Sequence, residues 1–426
     1  MTIYSGGDRT IFHIDVNSAF LSWEAAWRLQ HGDTRDFREI PSVVGGDEES
    51  RHGIVLAKSI PAKKCGIHTG EVLWQARGKC PGLVVLPPDY TLYMNCSNAM
   101  MDLLGCWSPL IERYSVDECF MDVTSLVSAS PSGRTPEKTA LDLAGEISDA
   151  VRTKLGFTVN IGISSNKLLA KMASEFEKPD KIHTLYPREV PGKMWPLSVK
   201  ELFMVGRSTA PRLYRLNIFS IGQLAHTAPE FLTAHFKSFG RTLWRYANGI
   251  DVSEVNTHAV VAKGIGNSTT TPFDVDNEKE AMLYILSLVE TAASRLRNAG
   301  LMARVVAVSI RRADLTFFSH QRKLSSPADN TDILFKTAGA LLKELWDGSP
   351  LRHFGVAFSS LIGDEFYQTS LFDENLSRKE RLDLCIDGLR GLFGKYSLVR
   401  GSFIGSGIPP MTGGVREDYP NMRSLL

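Results

Sequence analysis

Three carboxylates stand where apolar strands would otherwise continue. Asp15 ends the run Ile11-Phe-His-Ile, and Asp117-Glu118 interrupt the strand-like stretch 113–124, RYSVDECFMDVT. A carboxylate on a core strand loses its hydration unless it is paired or binds a cation. Neighbours on a straight strand point to opposite faces, so Asp117 and Glu118 share a target only at a bend or hairpin. Gathered from two adjacent strands, the carboxylates suit a hard, oxygen-seeking ion, and Mg²⁺ keeps positions open for phosphate. The other reading makes Asp117 and Glu118 plain turn residues at a sheet edge, and from these residues alone both stand.

Basic residues are the second chemical signal. Lys167, Lys171 and Lys178 recur at steps of four and seven, close to one face of a helix. Such a row is ordinarily a solvated face. Between 295 and 323 seven basic residues (Arg295, Arg297, Arg304, Arg311, Arg312, Arg322, Lys323) meet one acid, Asp314, a local charge of +6. The whole chain carries only +1, from 48 basic and 47 acidic residues, so any basic surface is local. It fits a surface that would hold a polyanion, with affinity falling steeply in salt. Arg311 and Arg312 are its expected contacts.

The elements that must position these groups follow from pattern. Ile11–Val16 reads as a strand, followed by a helix from Ala19 to about Gln30. A Gly-rich connection, an apolar run at 54–57 and a Lys-Lys-Cys-Gly turn at 63–66 come next. Thr135-Pro136 starts a helix, with Thr as cap and Pro in the first turn, and Gly156 stops it. Phe157, Val159, Ile161 and Ile163 alternate as a strand, and Ser164-Ser-Asn166 caps another helix that ends before Pro179. Strands alternating with helices over 1–185 indicate a mixed α/β or α+β core domain. Short helices with Gly turns fill 197–250, a polar linker including 263–271 follows, and helix 277–298, strand 303–312, helix 330–346 and a β-like stretch at 353–363 make a small α+β domain. Residues 364–426 read as a polar tail with one helical segment near 377–393.

Composition excludes several classes. The 426 residues are 43% hydrophobic and 22% charged, with 35 Gly and 20 Pro, which is neither disordered, collagenous nor coiled-coil. No apolar stretch approaches a membrane span, and no signal-peptide pattern precedes Ile11. The six cysteines contain no CxxC pair and read as thiols of a reducing cytoplasm.

Three strings narrow the function. Asp15-Val-Asn-Ser-Ala-Phe20, Tyr114-Ser-Val-Asp-Glu-Cys-Phe-Met-Asp122, and Gly162-Ile-Ser-Ser-Asn-Lys-Leu-Leu-Ala-Lys171 through Lys178-Pro179 occur in an order and spacing that resemble the Y-family, the translesion DNA polymerases. The resemblance runs from about residue 10 to 372 and is nearest to the bacterial polymerase IV branch. It implies an α+β multidomain right hand: palm at 1–18 and 86–186, fingers at 19–85, helical thumb at 187–253, and a little finger at 254–363. The remainder, 364–426, is a tail. It implies low-fidelity, template-directed nucleotidyl transfer from deoxynucleoside triphosphates to a primer, across damaged DNA.

Carried over by position, Asp15, Asp117 and Glu118 become the metal triad, with the Val16 carbonyl as a further ligand. Two Mg²⁺, replaceable by Mn²⁺, would flank the attacking and leaving oxygens. Phe20 becomes the steric gate against a ribose hydroxyl, although alone it reads as a core aromatic. Asp122 is structural. Lys63 and Lys178 become triphosphate contacts, and Lys167 a contact to template or primer phosphates. Many relatives carry Arg at the Lys63 position and Tyr at that of Ile60, so both are departures.

Phe203-Met-Val-Gly-Arg-Ser-Thr-Ala210 resembles a helix–hairpin–helix loop, where amides around Gly206 would hold a DNA phosphate. Gln368-Thr-Ser-Leu371-Phe372 resembles a bacterial sliding-clamp peptide, its two apolar side chains serving as anchors. The protein is expected to act as a monomer in the cytoplasm. Two rivals remain: a diguanylate-cyclase-like enzyme, suggested by Gly45-Gly-Asp-Glu48, and a polymerase homologue that binds DNA or a partner without catalysis.

Overall fold

A computed structural model describes residues 9–48, 51, 53–129, 134–258, 262–364 and 376–411. They gather into two compact units, one from the residues up to 45 and from 55 to 258, the other from 46–54 and the residues beyond 261.

The first unit is organised around β1 (Ile11–Val16), the middle strand of a five-stranded sheet. Helix α1 (Ala19–Gln30) follows it directly. A small three-stranded sheet comes next, from β2 (Ser42–Gly45), β3 (Val55–Lys58) and β4 (Val84–Leu86), with α2 (Ile60–Lys64) and α3 (Leu73–Lys79) beside it. Val43, Val55, Ala62, Ile67 and Leu73 give this part its own core.

Helix α4 (Tyr90–Gly105) leads back to the large sheet, to a hairpin of β5 (Ile111–Arg113) and β6 (Glu118–Asp122). Asp122 then accepts from the Thr124 amide and starts the short α5 (Thr124–Ser128), the structural role read from its sequence. α6 (Pro136–Leu155) begins with the Thr135 cap and stops at Gly156, which takes φ 79°. β7 (Val159–Ser164), α7 (Lys167–Ser174) and β8 (Ile182–Thr184) complete the order β5-β6-β1-β7-β8.

β1 is buried on both faces, and its alternation divides the labour. Phe12, Ile14 and Val16 join the main core with residues of α1, α4 and α6. The odd positions Ile11, His13 and Asp15 project to the other face, where α7 lies. Gly162 makes this approach possible: a Cβ there would overlap the Ala170 carbonyl of α7. Asn166 caps α7 by accepting from the Leu169 amide at 2.8 Å. Beyond the sheet, α8 (Thr209–Arg215), α9 (Ile221–His226), α10 (Pro229–Phe236) and α11 (Ser238–Ala247) form a helical part whose core includes Leu213, Leu224, Leu232 and Leu243.

In the second unit, β9 (Gly264–Val275), β10 (Leu301–Arg312), β11 (Phe317–Ala328) and β12 (Leu351–Ser359) form a sheet in the order β11-β10-β12-β9, and a short β13 (Ile362–Gly363) pairs with β10. α12 (Glu278–Asn298) and α13 (Thr331–Leu345) cover one face, against Val306, Val308 and Ile310. In this unit two strands escaped the sequence reading. Residues 263–271, read there as linker, belong largely to β9, and β11 was not anticipated. Each presents polar residues along an open sheet face, so neither carries an apolar run. The tail reading of 364–426 also changes. α14 (Leu376–Phe393) is the helical segment expected near 377–393, but Phe403, Ile408 and Met411 are buried. The first two join the domain core.

Candidate active site

The hairpin resolves the problem posed by adjacent acids. Glu118, first residue of β6, stands directly opposite Asp15 in the antiparallel register. Asp117 lies in the turn before it, and the Val16 amide donates to the Asp117 carbonyl at 2.9 Å. Ser115 holds that turn: its hydroxyl donates to Asp117 Oδ1 at 2.5 Å and accepts from the Glu118 amide at 3.2 Å.

Asp15 and Asp117 both line a cavity of about 430 Å³, together with Val16, Phe20, Lys58, Ser59, Ile60, Lys63 and Lys178. Glu118 is not among its walls. Its carboxylate pairs with the Lys171 ammonium and receives His13 Nε2 at 3.0 Å. Among the described residues, no three His, Cys, Asp or Glu side chains form a metal-holding group. The structure therefore puts two of the expected three carboxylates on the cavity and turns the third beside them.

The electrostatics follow this split. Burial is the largest influence on Asp15 and pushes its carboxyl up to about 6 despite the opposing Lys178. Burial raises Asp117 as well, against the Ser115 hydrogen bond and with the help of neighbouring Glu118. At Glu118 burial also opposes charge, yet the hydrogen bond from His13 and the Lys171 charge outweigh it, holding the carboxyl at about 2. His13, fully buried, is lowered to about 4 and is neutral at pH 7. Two desolvated carboxylates face one cavity, and their hard oxygens fit a divalent cation.

The three lysines of the sequence row do not share a helical face. α7 ends at Ser174, and each ammonium finds its own acid. Lys178 Nζ donates to Asp15 Oδ2 at 2.6 Å and to Glu175 at 2.9 Å. Lys171 takes Glu118. Lys167 is buried: Nζ donates to Glu112 Oε2 at 2.7 Å and to the Glu254 carbonyl at 3.4 Å, 4.9 Å above the Phe120 ring. The expectation that Lys167 meets DNA phosphates is corrected accordingly, since its charge is consumed in fastening 254–256 to the sheet, where the Asn256 amide also reaches Glu112.

Phe20 stacks on Tyr93, with ring centroids 4.3 Å apart and planes at 10°, and meets Tyr90 edge-on at 6.0 Å. Lys63 and the exposed Ile60 lie on α2, capped by Ser59, whose hydroxyl accepts from the Ala62 amide. Lys58, on β3, was not anticipated. It donates to Thr69 at 3.1 Å, and burial first, then Lys63, lowers its ammonium. Its signal was only its place two residues before the expected departure at Ile60. His13 was missed too, although a histidine two positions before Asp15 shares its strand face.

The remaining expectations divide. Gly206 precedes α8, and space beside it is open, while Met204 takes a left-handed φ of 73°. Arg311 is exposed and, by register, on the open face opposite His353 and Phe317. Arg312 faces the other way, donating to Asp347 at 2.5 Å and lying 4.5 Å from the Phe318 ring. Arg322 pairs with Glu344, and Arg297 is buried against Asp387. The local charge of the sequence is thus partly neutralised within the domain, and Arg312 does not share a face with Arg311. Gly45 ends β2, and none of 45–48 lines the cavity, which leaves the cyclase reading without a site. Gln368, Leu371 and Phe372 fall outside the described residues. No helix among those described is long and apolar enough to cross a membrane.

Comparison with known proteins agrees over most of the chain. The model of the impB/mucB/samB family matches residues 14–175, and that family's C-terminal domain matches 262–371. DNA polymerase IV of Clostridium acetobutylicum is 45% identical over 92% of this chain and 97% of its own length. DNA polymerase IV of Acetivibrio thermocellus is 36% identical over the same shares, 92% and 97%. A solved Y-family DNA polymerase chimera has the same fold, with a TM-score of 0.71 over 83% of this chain and 99% of that one, at 24% identity. With sequence relatives that span its length and a fold that agrees, the chain belongs to the impB/mucB/samB family, the Y-family.

Proposed function

We propose that this protein is a DNA-directed DNA polymerase that carries out translesion synthesis, as a low-fidelity nucleotidyltransferase of the polymerase IV type. The observation that carries the reading is one cavity where Asp15 and Asp117 face Lys63 and Lys178 beside an aromatic wall, Phe20. In this reading the five-stranded sheet is the palm, the three-stranded part the fingers, the helices after 187 the thumb, and the second unit the little finger. Asp15, Asp117, the Val16 carbonyl and Glu118 would hold two Mg²⁺, which when bound supply charge neutralisation at the attacking 3′-oxygen and the leaving pyrophosphate. The lysines answer the triphosphate charge, Phe20 excludes the ribose hydroxyl, and Gly206 and Arg311 meet the DNA backbone. Primer extension on damaged and undamaged templates, run beside an assay for cyclic dinucleotides, tests it: extension supports the polymerase, cyclic product the cyclase, and neither product the non-catalytic homologue.

Lys58 is assigned here to the incoming triphosphate, where it would compensate for the hydroxyl absent at Ile60. Lys58→Ala should raise KM for deoxynucleotide about tenfold with kcat little changed, the loss of one charge-assisted hydrogen bond. Lys58→Arg should restore it. Unchanged KM in Lys58→Ala would return Lys58 to the role of a Thr69 partner.

Gln368, Leu371 and Phe372 are assigned to a bacterial sliding clamp. Tethering to a clamp raises the effective concentration of the polymerase at a primer end. Changing all three to Ala should remove clamp stimulation and leave clamp-free extension unaltered; stimulation that survives refutes the assignment.

A further inference from the structure

Helix α14 is built inside out. Its inward face is charged: Asp387 receives Arg297 Nε at 2.6 Å, and Asp383 receives the Asn330 side chain at 2.8 Å and the Thr331 amide at 2.9 Å. One turn further on, buried Arg390 reaches Glu290 at 3.4 Å and the Leu398 carbonyl at 3.0 Å. The outward face is apolar. Leu382 is 59% exposed, Leu389 37%, Leu392 79% and Tyr396, just beyond the helix, 56%, with exposed Cys385 between the first two. Positions 382, 385, 389 and 392 alternate steps of three and four, the seam by which one helix packs along another. A surface helix normally turns such a stripe toward its own domain. Here ion pairs fix the opposite orientation, although apolar packing could cover α12 and α13 without desolvating charge.

We propose that the outer face of α14 is a docking surface for an acidic amphipathic helix of a partner protein. A contiguous exposed apolar stripe marks an interaction site, and the charges around this one select the occupant. Arg378 and Lys379 are exposed at one end, where Glu380 is half-buried, Lys395 lies at the other, and the acids Asp383 and Asp387 are turned inward. A second copy would set basic end against basic end in either orientation, which like-charge repulsion opposes. A helix carrying leucines flanked by Asp or Glu satisfies both the stripe and its rims. α14 attaches through α12 and the start of α13, whereas Ala307, Ser309, Gly355 and Ala357 line the bare face of the sheet. Partner and DNA would therefore take different faces of this domain.

The test uses the full chain and two labelled synthetic helices with one leucine heptad, flanked by Glu in one and by Lys in the other. Fluorescence anisotropy should show the Glu-flanked helix binding at least tenfold more tightly. Leu389→Glu with Leu392→Glu should weaken it at least tenfold while primer extension and thermal midpoint stay unchanged. Arg378→Glu with Lys379→Glu, which leaves the stripe intact, should shift preference toward the Lys-flanked helix. Equal binding of both helices, no binding of either, or a concentration-dependent dimer abolished by Leu392→Glu would overturn the proposal, the last by making a second copy the occupant.

Discussion

Asp117→Ala combined with Glu118→Ala is expected to abolish primer extension while DNA binding stays within a few-fold of the parent. The two residues are neighbours in sequence but stand in different surroundings. Asp117 faces the cavity with Asp15, and burial, with the neighbouring Glu118 charge, raises its carboxyl. Removing it takes away a carboxylate that would hold the Mg²⁺ whose charge neutralises the leaving pyrophosphate, and about 4 kcal/mol of transition-state stabilisation corresponds to a rate loss of about a thousandfold. Glu118 instead anchors Lys171 and His13. Its loss strands an ammonium in a largely buried place, and removing one member of a buried pair costs about 3–5 kcal/mol of stability. Glu118→Gln, which keeps a hydrogen-bond acceptor for both neighbours, separates the effects. Extension near parental level by Glu118→Gln would confine the essential acids to Asp15 and Asp117. A folded double variant that still extends primers would remove the whole metal assignment.

How much of this was legible depends on whether the signal is local. β1, α1 and α6 were readable because alternation, a Thr-Pro start and a Gly stop act over a few residues. The carboxylates were readable because polar groups in an apolar strand demand an explanation. Partners distant in sequence were not. Lys167 looks like any helical lysine until Glu112, 55 residues away, buries it, and Arg312 differs from Arg311 only by which sheet face the register assigns. β9 and β11 carry Ser, Thr, Asn and basic residues because one face of their sheet is bare, so their sequences resemble linkers. α14 was detected as a helix, but its periodicity could not say that the charged side faces in.

Phe20→Ala is expected to raise the use of ribonucleotides relative to deoxynucleotides by about a hundredfold, the scale on which a pocket rejects one added hydroxyl by shape. A steric wall discriminates only if it cannot yield, and the packing behind Phe20 meets that need. Its ring lies flat on Tyr93, Tyr90 closes the edge, and Trp23 stands 6.0 Å away. Tyr93 is itself held, its hydroxyl donating to Glu24 at 3.1 Å, and Glu24 is held in turn by Arg28 at 3.1 Å. Truncation at Phe20 removes the wall, whereas truncation at Tyr93 removes only its support. Tyr93→Ala should therefore relax discrimination less than Phe20→Ala, and Tyr93→Phe, which keeps the stacked ring, should barely alter it. The ratio of kcat/KM for the two sugars is the measurement, because a general loss of fold or activity cancels from it. If Phe20→Ala lowers both rates equally, Phe20 is a core aromatic that happens to border the cavity. If the ratio moves with Phe20 and only partly with Tyr93, selectivity resides in the ring, and its rigidity in the aromatic cluster behind it.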